Sequence, residues 1–302
     1  MTIEYPVPGE PRRPHGPRDP GDAWVVTDSG ERYWGRFGAA GLLAYDPQRG
    51  VLLQHRVTWS HHGDTWALPG GARHLGESAR AGALREAQEE AGVPDGAVRA
   101  RVESVLDLDV WTYTTLIGDV TTPFEPVISD PESRALAWVP PGEVTDLPLH
   151  PGFAGSWQRL RQLLEVRPAL VVDAANVVGS VPDGWWRDRA GAAARLVDRL
   201  GALDAQGVGG AALALPEDVW FPEISVVVEG QARALHTATA GGVRVVRADA
   251  AGDDAIVDEA QRLVEAGRTV TVVTSDRELA DRTRAVGSVV HGARWLRDLL
   301  PG

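Results

Sequence analysis

The sequence predicts an α/β protein of two domains, each a sheet flanked by helices, and three observations carry that prediction. The chain has 302 residues, enough for two cores at roughly 150 residues per domain. Residues 22–165 mix strand-like alternation with short helical segments, as a mixed sheet between helices requires. Residues 166–302 instead alternate apolar runs and helical periodicity with regularity, the pattern of a parallel sheet covered on both faces.

Taken in order, residues 1–21 form a leader with Pro6, Pro8, Pro11, Pro14, Pro17 and Pro20. Proline at that spacing forbids a helix and removes ladder donors, so the leader is expected to be extended or disordered. Trp24–Thr27, Ala40–Tyr45 and Val51–His55 read as strands, the last two joined by an Asp46-Pro47 turn. Trp66–Leu68 is a strand running into Pro69-Gly70-Gly71, and Ser78–Glu90 is a helix with a modest apolar face of Ala79, Ala83, Leu84 and Ala87. Val102–Leu106, Trp111–Val120 and Ala135–Val139 complete the first sheet, and Trp157–Leu164 closes the domain as a helix. The boundary falls at Glu165–Pro168. Beyond it, strands are expected at Ala169–Val172, Gly210–Leu215, Ser225–Glu229, Val243–Arg247, Thr269–Thr274 and Val289-Val290. Helices are expected at Arg187–Leu203, Asp254–Ala266, Arg277–Ala285 and Ala293–Leu300.

Composition narrows the function classes. There is no cysteine, which excludes a disulfide framework and thiolate metal sites. There is no lysine either, so every basic side chain besides histidine is arginine. A net charge of −12 repels nucleic acid at long range and argues against avid non-specific DNA binding, although a metal-chelated nucleotide is not excluded. No apolar run approaches the ~18 residues of a membrane span and no signal-peptide pattern opens the chain, so a cytoplasmic protein with no membrane partner is expected.

The chemistry concentrates in Gly71–Val93. Glu86, Glu89 and Glu90 sit at i, i+3 and i+4, which gathers three carboxylates within about a turn. Like charges so placed destabilise a helix by a few tenths of a kcal/mol per pair unless neutralised. A hard divalent cation neutralises them, and Mg²⁺ or Mn²⁺ prefers such oxygens together with phosphate. Arg85 is placed to orient a carboxylate, and Gly92 follows the last one where a left-handed helix stop is common. Gly71, Glu77, Arg85, Glu86, Glu89, Glu90, Gly92 and Val93 fall in register with G-x5-E-x7-R-E-U-x-E-E-x-G-U, where U is aliphatic and Ala87 fills one such slot. An acidic solvated face accounts for the glutamates but not for two glycines, an arginine and a fourth glutamate at fixed spacing. In this pattern the chain resembles a Nudix hydrolase.

The resemblance implies an α/β/α sandwich in which the box is a loop–helix–loop, and hydrolysis of a nucleoside diphosphate linked to another group. It implies Mg²⁺ or Mn²⁺ held by Glu86, Glu89 and Glu90, with Glu86 or Glu89 also helping to deprotonate water. Arg85 is expected to hold a catalytic carboxylate in place, and Glu77 to be an outer ligand or a brace for the loop. The simplest substrate is a (deoxy)nucleoside triphosphate cut to monophosphate and pyrophosphate, as in the MutT-like branch. Trp59 and Trp111 are candidates to stack on a base, and Glu125 or Glu132 to add a metal carboxylate. Tyr113 falls near a spacing associated with dinucleoside polyphosphates and is not credited. His61-His62 invites a metal reading, but neighbours on a strand face opposite ways, so the pair reads as a polar loop.

A second site is expected beyond the boundary. Asp173 ends an apolar strand with Asn176 three residues on, Gly252-Asp253-Asp254 opens a helix, and Thr274-Ser275-Asp276 ends another strand. Ligand sites in open parallel sheets lie at those strand ends. Helix capping explains the last two segments and leaves Asp173 unexplained. The layout resembles the NYN group of PIN-like nucleases, which implies a parallel α/β domain with a metal at Asp173, Asn176, Asp254 and Asp276. Asp188 either joins that set or favours a helix start, and Trp185 and Trp186 are candidates to stack on RNA. The leading expectation is thus a Mg²⁺-dependent nucleotide pyrophosphohydrolase fused to a PIN-like domain. The alternatives are an RNA-processing ribonuclease working through the second domain, and a nucleotide sensor in which that domain only binds.

Overall fold

The computed structural model describes residues 1–6, 19–182, 184–235 and 242–301. It divides into two compact units, Met1–Glu165 and Val166–Gly302.

In the first unit the elements are β1 (Thr2–Glu4), β2 (Trp24–Val26), β3 (Arg32–Trp34), β4 (Ala39–Asp46), β5 (Gly50–Arg56), β6 (Trp66–Ala67), β7 (Gly70–Ala72), α1 (Ala79–Ala91), β8 (Val98–Asp107), β9 (Thr112–Val120), β10 (Ser133–Val139) and α2 (Pro151–Leu163). The main sheet runs β10-β5-β4-β9-β8, with β6 added to β5 and β7 to β4. Among the described strands of this unit only β4 and β9 pair parallel, so the sheet is mixed as expected. Central β4 is buried along nearly its whole length because both faces are covered. Helix α1 packs on β4, β7 and β9 through buried Ala83, Ala87 and Ala91, whose small side chains let it lie close to the sheet. Phe153, Trp157, Leu160 and Leu163 form the buried stripe of α2 at helical spacing.

Where it is described, the leader is extended rather than disordered. Thr2–Glu4 is a strand, paired antiparallel with Trp24–Val26, and β3 extends this small sheet. Proline-free Thr2-Ile3-Glu4 supplies the ladder donors that the later residues lack. Residues 7–18 of the leader lie outside the described residues. Helix α2 also begins six residues before the expected Trp157, with His150 as its N-cap and Pro151 in the first turn.

The second unit contains β11 (Pro168–Asp173), α3 (Ala174–Gly179), α4 (Arg189–Gln206), β12 (Val208–Gly209), α5 (Gly210–Leu213), β13 (Val219–Trp220), β14 (Glu223–Val228), β15 (Val243–Arg247), α6 (Gly252–Glu265), β16 (Thr269–Val273), α7 (Arg277–Ala285), β17 (Val289–His291) and α8 (Ala293–Leu299). Five strands form a wholly parallel sheet, β15-β14-β11-β16-β17. Alternation along β11 explains its cover: Leu170 and Val172 join one core with Leu196 and Leu200 of α4, while Ala169 and Val171 join another with Ile256, Ala260 and Leu263 of α6. Gly210–Leu215 is not a strand. Its alanine-rich run forms one helical turn ended by Ala214 at φ 53°, because short alanine segments favour helix and bury too little to hold a strand. Buried Glu259 on α6 is matched by Arg262 at 2.8 Å and the Ser225 hydroxyl at 2.7 Å. Burial pushes its carboxyl up, but those bonds outweigh it and hold the group below the usual glutamate range.

Candidate functional site

In the first unit the site is built around one arginine. Strand β7 pairs antiparallel with β4, placing Gly70 opposite Gly41 and Gly71 opposite Ala40. A side chain at Gly70 would meet the Ala40 carbonyl and Gly41 Cα at 2.6 Å, so only glycine permits this approach. The chain then turns into α1, where Ser78 caps by accepting from the Ala81 N–H at 3.1 Å. At the other end Gly92 takes φ 64° and the helix closes with Gly92 N–H to Gln88 O and Val93 N–H to Ala87 O, a left-handed αL stop.

Arg85 reaches back from α1 and binds both oxygens of Glu77 at 2.8 and 2.9 Å, a two-pronged pair. The same guanidinium donates to Glu86 at 2.8 Å, to Glu89 at 3.3 Å and to the Ala72 carbonyl at 2.9 Å. Glu90 accepts from the Gly70 N–H at 2.8 Å, tying the end of the helix to the start of the loop. Glu86 and Glu90 are buried, each 1% exposed, whereas Glu89 stands at the rim. Glu77 also accepts from the His74 N–H at 2.9 Å and its own carbonyl binds Arg73, which is the geometry of a brace. Burial acts to raise the Glu77 carboxyl, but Arg85 and the His74 N–H prevail and hold it below the usual range. Desolvation opposes the charge on Arg85, yet Glu77 and Glu86 keep its pKa above the ordinary arginine value. The Gly71–Val93 segment is therefore one hydrogen-bonded unit.

The other candidates fall unevenly around it. Trp59 is exposed on the loop between β5 and β6. Trp111 stacks on Tyr33 at 5.0 Å and gives its indole N–H to the Trp34 and Gly35 carbonyls, so it anchors β3. Glu125 lies exposed against Arg49 at 3.3 Å, and the Glu132 carbonyl accepts from Val57 N–H. Glu103, on β8, belongs to no motif in the sequence, yet burial raises it above the usual carboxylate range despite nearby Arg80 and Arg73. The Tyr113 hydroxyl lies within reach of both Gly41 and Gly70. Burial, then Glu90, hold that phenol above its ordinary pKa.

In the second unit the carboxyl ends of β11, β14 and β16 border a cavity of about 150 Å³ lined by Asp173, Asn176, Glu229, Asp253 and Asp276, among others. Asp173 accepts from the Asn176 N–H at 3.0 Å and the Thr274 hydroxyl at 2.9 Å, so it caps α3 while facing the cavity. Asn176 accepts from Ser275 N–H at 2.9 Å, and Asp276 caps α7 through Leu279 N–H at 2.9 Å. Burial, then Asp253 and Glu229, raise Asp173 above the usual aspartate range, although its hydrogen bonds oppose the shift. Asp254, expected in this set, instead turns outward to Arg282 at 2.6 Å; Asp253 is the neighbour that lines the cavity. Successive helix residues point about 100° apart, so only one of the pair can face inward. Burial and then Asp276 raise Asp253. Glu229 was also missed, although it lies one residue past β14 at the strand-end position that drew attention to Asp173, and it accepts from Gly252 N–H at 2.9 Å. Asp188 caps α4 through Gly191 N–H at 2.8 Å, and Trp186 is exposed beside Trp185.

Among the described residues no helix is long and apolar enough to cross a membrane. The NUDIX domain model matches residues 35–162. The chain is 51% identical over 154 residues to a Mycobacterium tuberculosis protein named "Putative 8-oxo-dGTP diphosphatase 3", a match spanning 48% of this chain and 70% of that one. It is 37% identical over 154 residues to a Bifidobacterium longum "Nucleoside triphosphate pyrophosphatase/Nudix hydrolase fusion protein", covering 48% of this chain and 32% of the relative. Among solved structures, a Nudix hydrolase from M. smegmatis, RenU, is 49% identical, with 48% of this chain and 95% of that one covered and a TM-score of 0.44. With the loop–helix–loop geometry of Gly71–Val93 and 51% identity to the M. tuberculosis relative over 70% of its length, the chain belongs to the Nudix family and is a hydrolase.

Proposed function

We propose that the first unit hydrolyses a (deoxy)nucleoside triphosphate to its monophosphate and pyrophosphate, using Mg²⁺ or Mn²⁺. The observation that carries this reading is the Arg85-centred network, which fixes Glu86 and Glu89 in one arrangement and braces the loop through Glu77. The donor set suits the metal: Glu86, Glu89 and Glu90 are hard oxygen ligands within about one helical turn. When bound there, the metal offsets phosphate charge and makes water easier to deprotonate. Glu86 or Glu89 accepts the proton from the attacking water. Arg85 holds both carboxylates in register, and Gly70 and Gly71 let backbone approach the phosphates. The substrate class is favoured by the M. tuberculosis relative, whose name specifies an oxidised deoxyguanosine triphosphate. Trp59, exposed on its loop, is the candidate to stack on the base.

The test is chromatography of the products from a nucleotide panel with Mg²⁺: canonical and oxidised (d)NTPs, ADP-ribose, NADH, dinucleoside polyphosphates and capped RNA ends. Monophosphate plus pyrophosphate from a triphosphate is expected; preference for a non-triphosphate member would overturn the substrate class.

A second reading concerns residues 166–302, for which we propose a PIN-like domain with metal-dependent ribonuclease activity. Its support is the cavity at the strand ends, where Asp173, Glu229, Asp253 and Asp276 gather acidic oxygens at the position that ligands occupy in parallel sheets.

A further inference from the structure

We propose that His61, His62 and His150 form a second metal site in the first unit, one that takes Zn²⁺ or a similar transition-metal dication rather than Mg²⁺. Each imidazole offers one nitrogen, and the three nitrogens lie within 4.8 Å of one another. The rings of His61 and His62 are 4.2 Å apart, and those of His62 and His150 are 4.8 Å apart. Adjacent histidines can converge here because they lie on a turn and not on a strand: His62 takes φ 53°. This removes the objection that neighbours face opposite ways.

Both halves of the site are pinned. The loop after β5 is closed by Gly63 N–H to Ser60 O at 2.9 Å, Asp64 N–H to Arg56 O at 3.1 Å and the Thr65 hydroxyl to His62 O at 2.6 Å. The segment carrying His150 is held to the end of that loop by two backbone bonds, Trp66 N–H to Pro148 O at 2.8 Å and His150 N–H to Trp66 O at 2.9 Å. Edge-on contact of His61 with Trp24, at 5.4 Å, adds an apolar wall.

The ligand chemistry selects the ion. Three imidazoles with no carboxylate among them suit Zn²⁺, Co²⁺, Ni²⁺ or Cu²⁺ and not Mg²⁺ or Ca²⁺. Asp64 on the same loop is engaged by His55 at 3.1 Å and Arg134 at 2.9 Å. A tetrahedral ion with bonds of about 2.0–2.1 Å needs nitrogens about 3.3 Å apart, so side-chain rotation must close the site slightly. Three protein ligands leave a fourth position for water or a ligand atom, as in open zinc sites. His150 contributes at a cost: its Nδ1 accepts from Gly152 N–H at 3.1 Å as the cap of α2. Ligation through Nδ1 replaces that bond, and ligation through Nε2 moves the ring proton to Nδ1 and breaks it. Metal binding thus exchanges one helix cap for three metal bonds.

The experiment is a Co²⁺ titration of the full chain in excess Mg²⁺, followed by its visible absorption and by competition with Zn²⁺. The expected result is one equivalent of tetrahedral Co²⁺, displaced by Zn²⁺, with a rise in melting temperature on Zn²⁺ addition. His150→Asn keeps a capping side chain while removing the imidazole; it and His62→Ala are expected to weaken binding by more than about 100-fold, beyond the 10–100-fold of outer-shell changes. Melting of each variant in chelator establishes that it is folded. Absence of a tetrahedral signal, or a signal that survives in the folded double variant, overturns the site.

Discussion

Replacing Arg85 by lysine is expected to lower kcat for nucleotide hydrolysis by about 10²–10³-fold, with a smaller effect on KM. Lysine keeps a charge but loses the planar fork that reaches Glu77, Glu86, Glu89 and the Ala72 carbonyl together. A displacement of about 1 Å in a catalytic group can cost 10²-fold, and here two such carboxylates lose their support. Arg85 is thus a positioning residue, and its variant should also need more Mg²⁺ for half-maximal rate. A purely structural role would leave the Mg²⁺ requirement of the folded fraction unchanged. A kcat within about threefold of wild type, measured at saturating Mg²⁺, would remove Arg85 from the account.

Asp173→Asn is expected to abolish Mn²⁺-dependent ribonuclease activity while raising the melting temperature and sparing nucleotide hydrolysis. Asparagine preserves the shape and the acceptor that caps α3 through Asn176 N–H. It removes a buried charge that Asp253 and Glu229 further disfavour. The sign follows from linkage: a carboxyl raised in the folded state destabilises the fold as pH climbs from its unfolded value, near 3.9, through its folded one. The neutral amide escapes that loss, so the stability gain should be full above the folded value and vanish in acid below the unfolded one. Gain in stability with loss of activity marks a site kept under electrostatic strain. Unchanged nuclease activity, or loss of both activities, would contradict separate chemistry in the second unit.

What could be read from sequence depended on whether chemistry or folding set the residue pattern. The box from Gly71 to Val93 was legible because spacing along one helix translates directly into geometry, and Arg85 lies among the carboxylates that it binds. The parallel strands β11, β14 and β16 were legible because burial on both faces writes continuous apolar runs. Asp253 could not be told from Asp254, since both open the same helix and only packing decides which turns inward. The approach of His150 to His61 and His62 left no trace, because it depends on a backbone bridge beside Trp66. Gly210–Leu213 misled because alanine and glycine runs carry little periodic signal.

The most direct test of the central claim is the initial rate of triphosphate hydrolysis by Glu89→Gln beside wild type, at saturating Mg²⁺. Glutamine keeps the size of Glu89 at the exposed rim and can still accept from Arg85, but supplies neither a charged metal ligand nor a base. A folded variant at least about 10³-fold slower agrees with carboxylates that hold the metal and take the proton, the general-base share alone being 10²–10⁴-fold. Activity retained within about tenfold would contradict it.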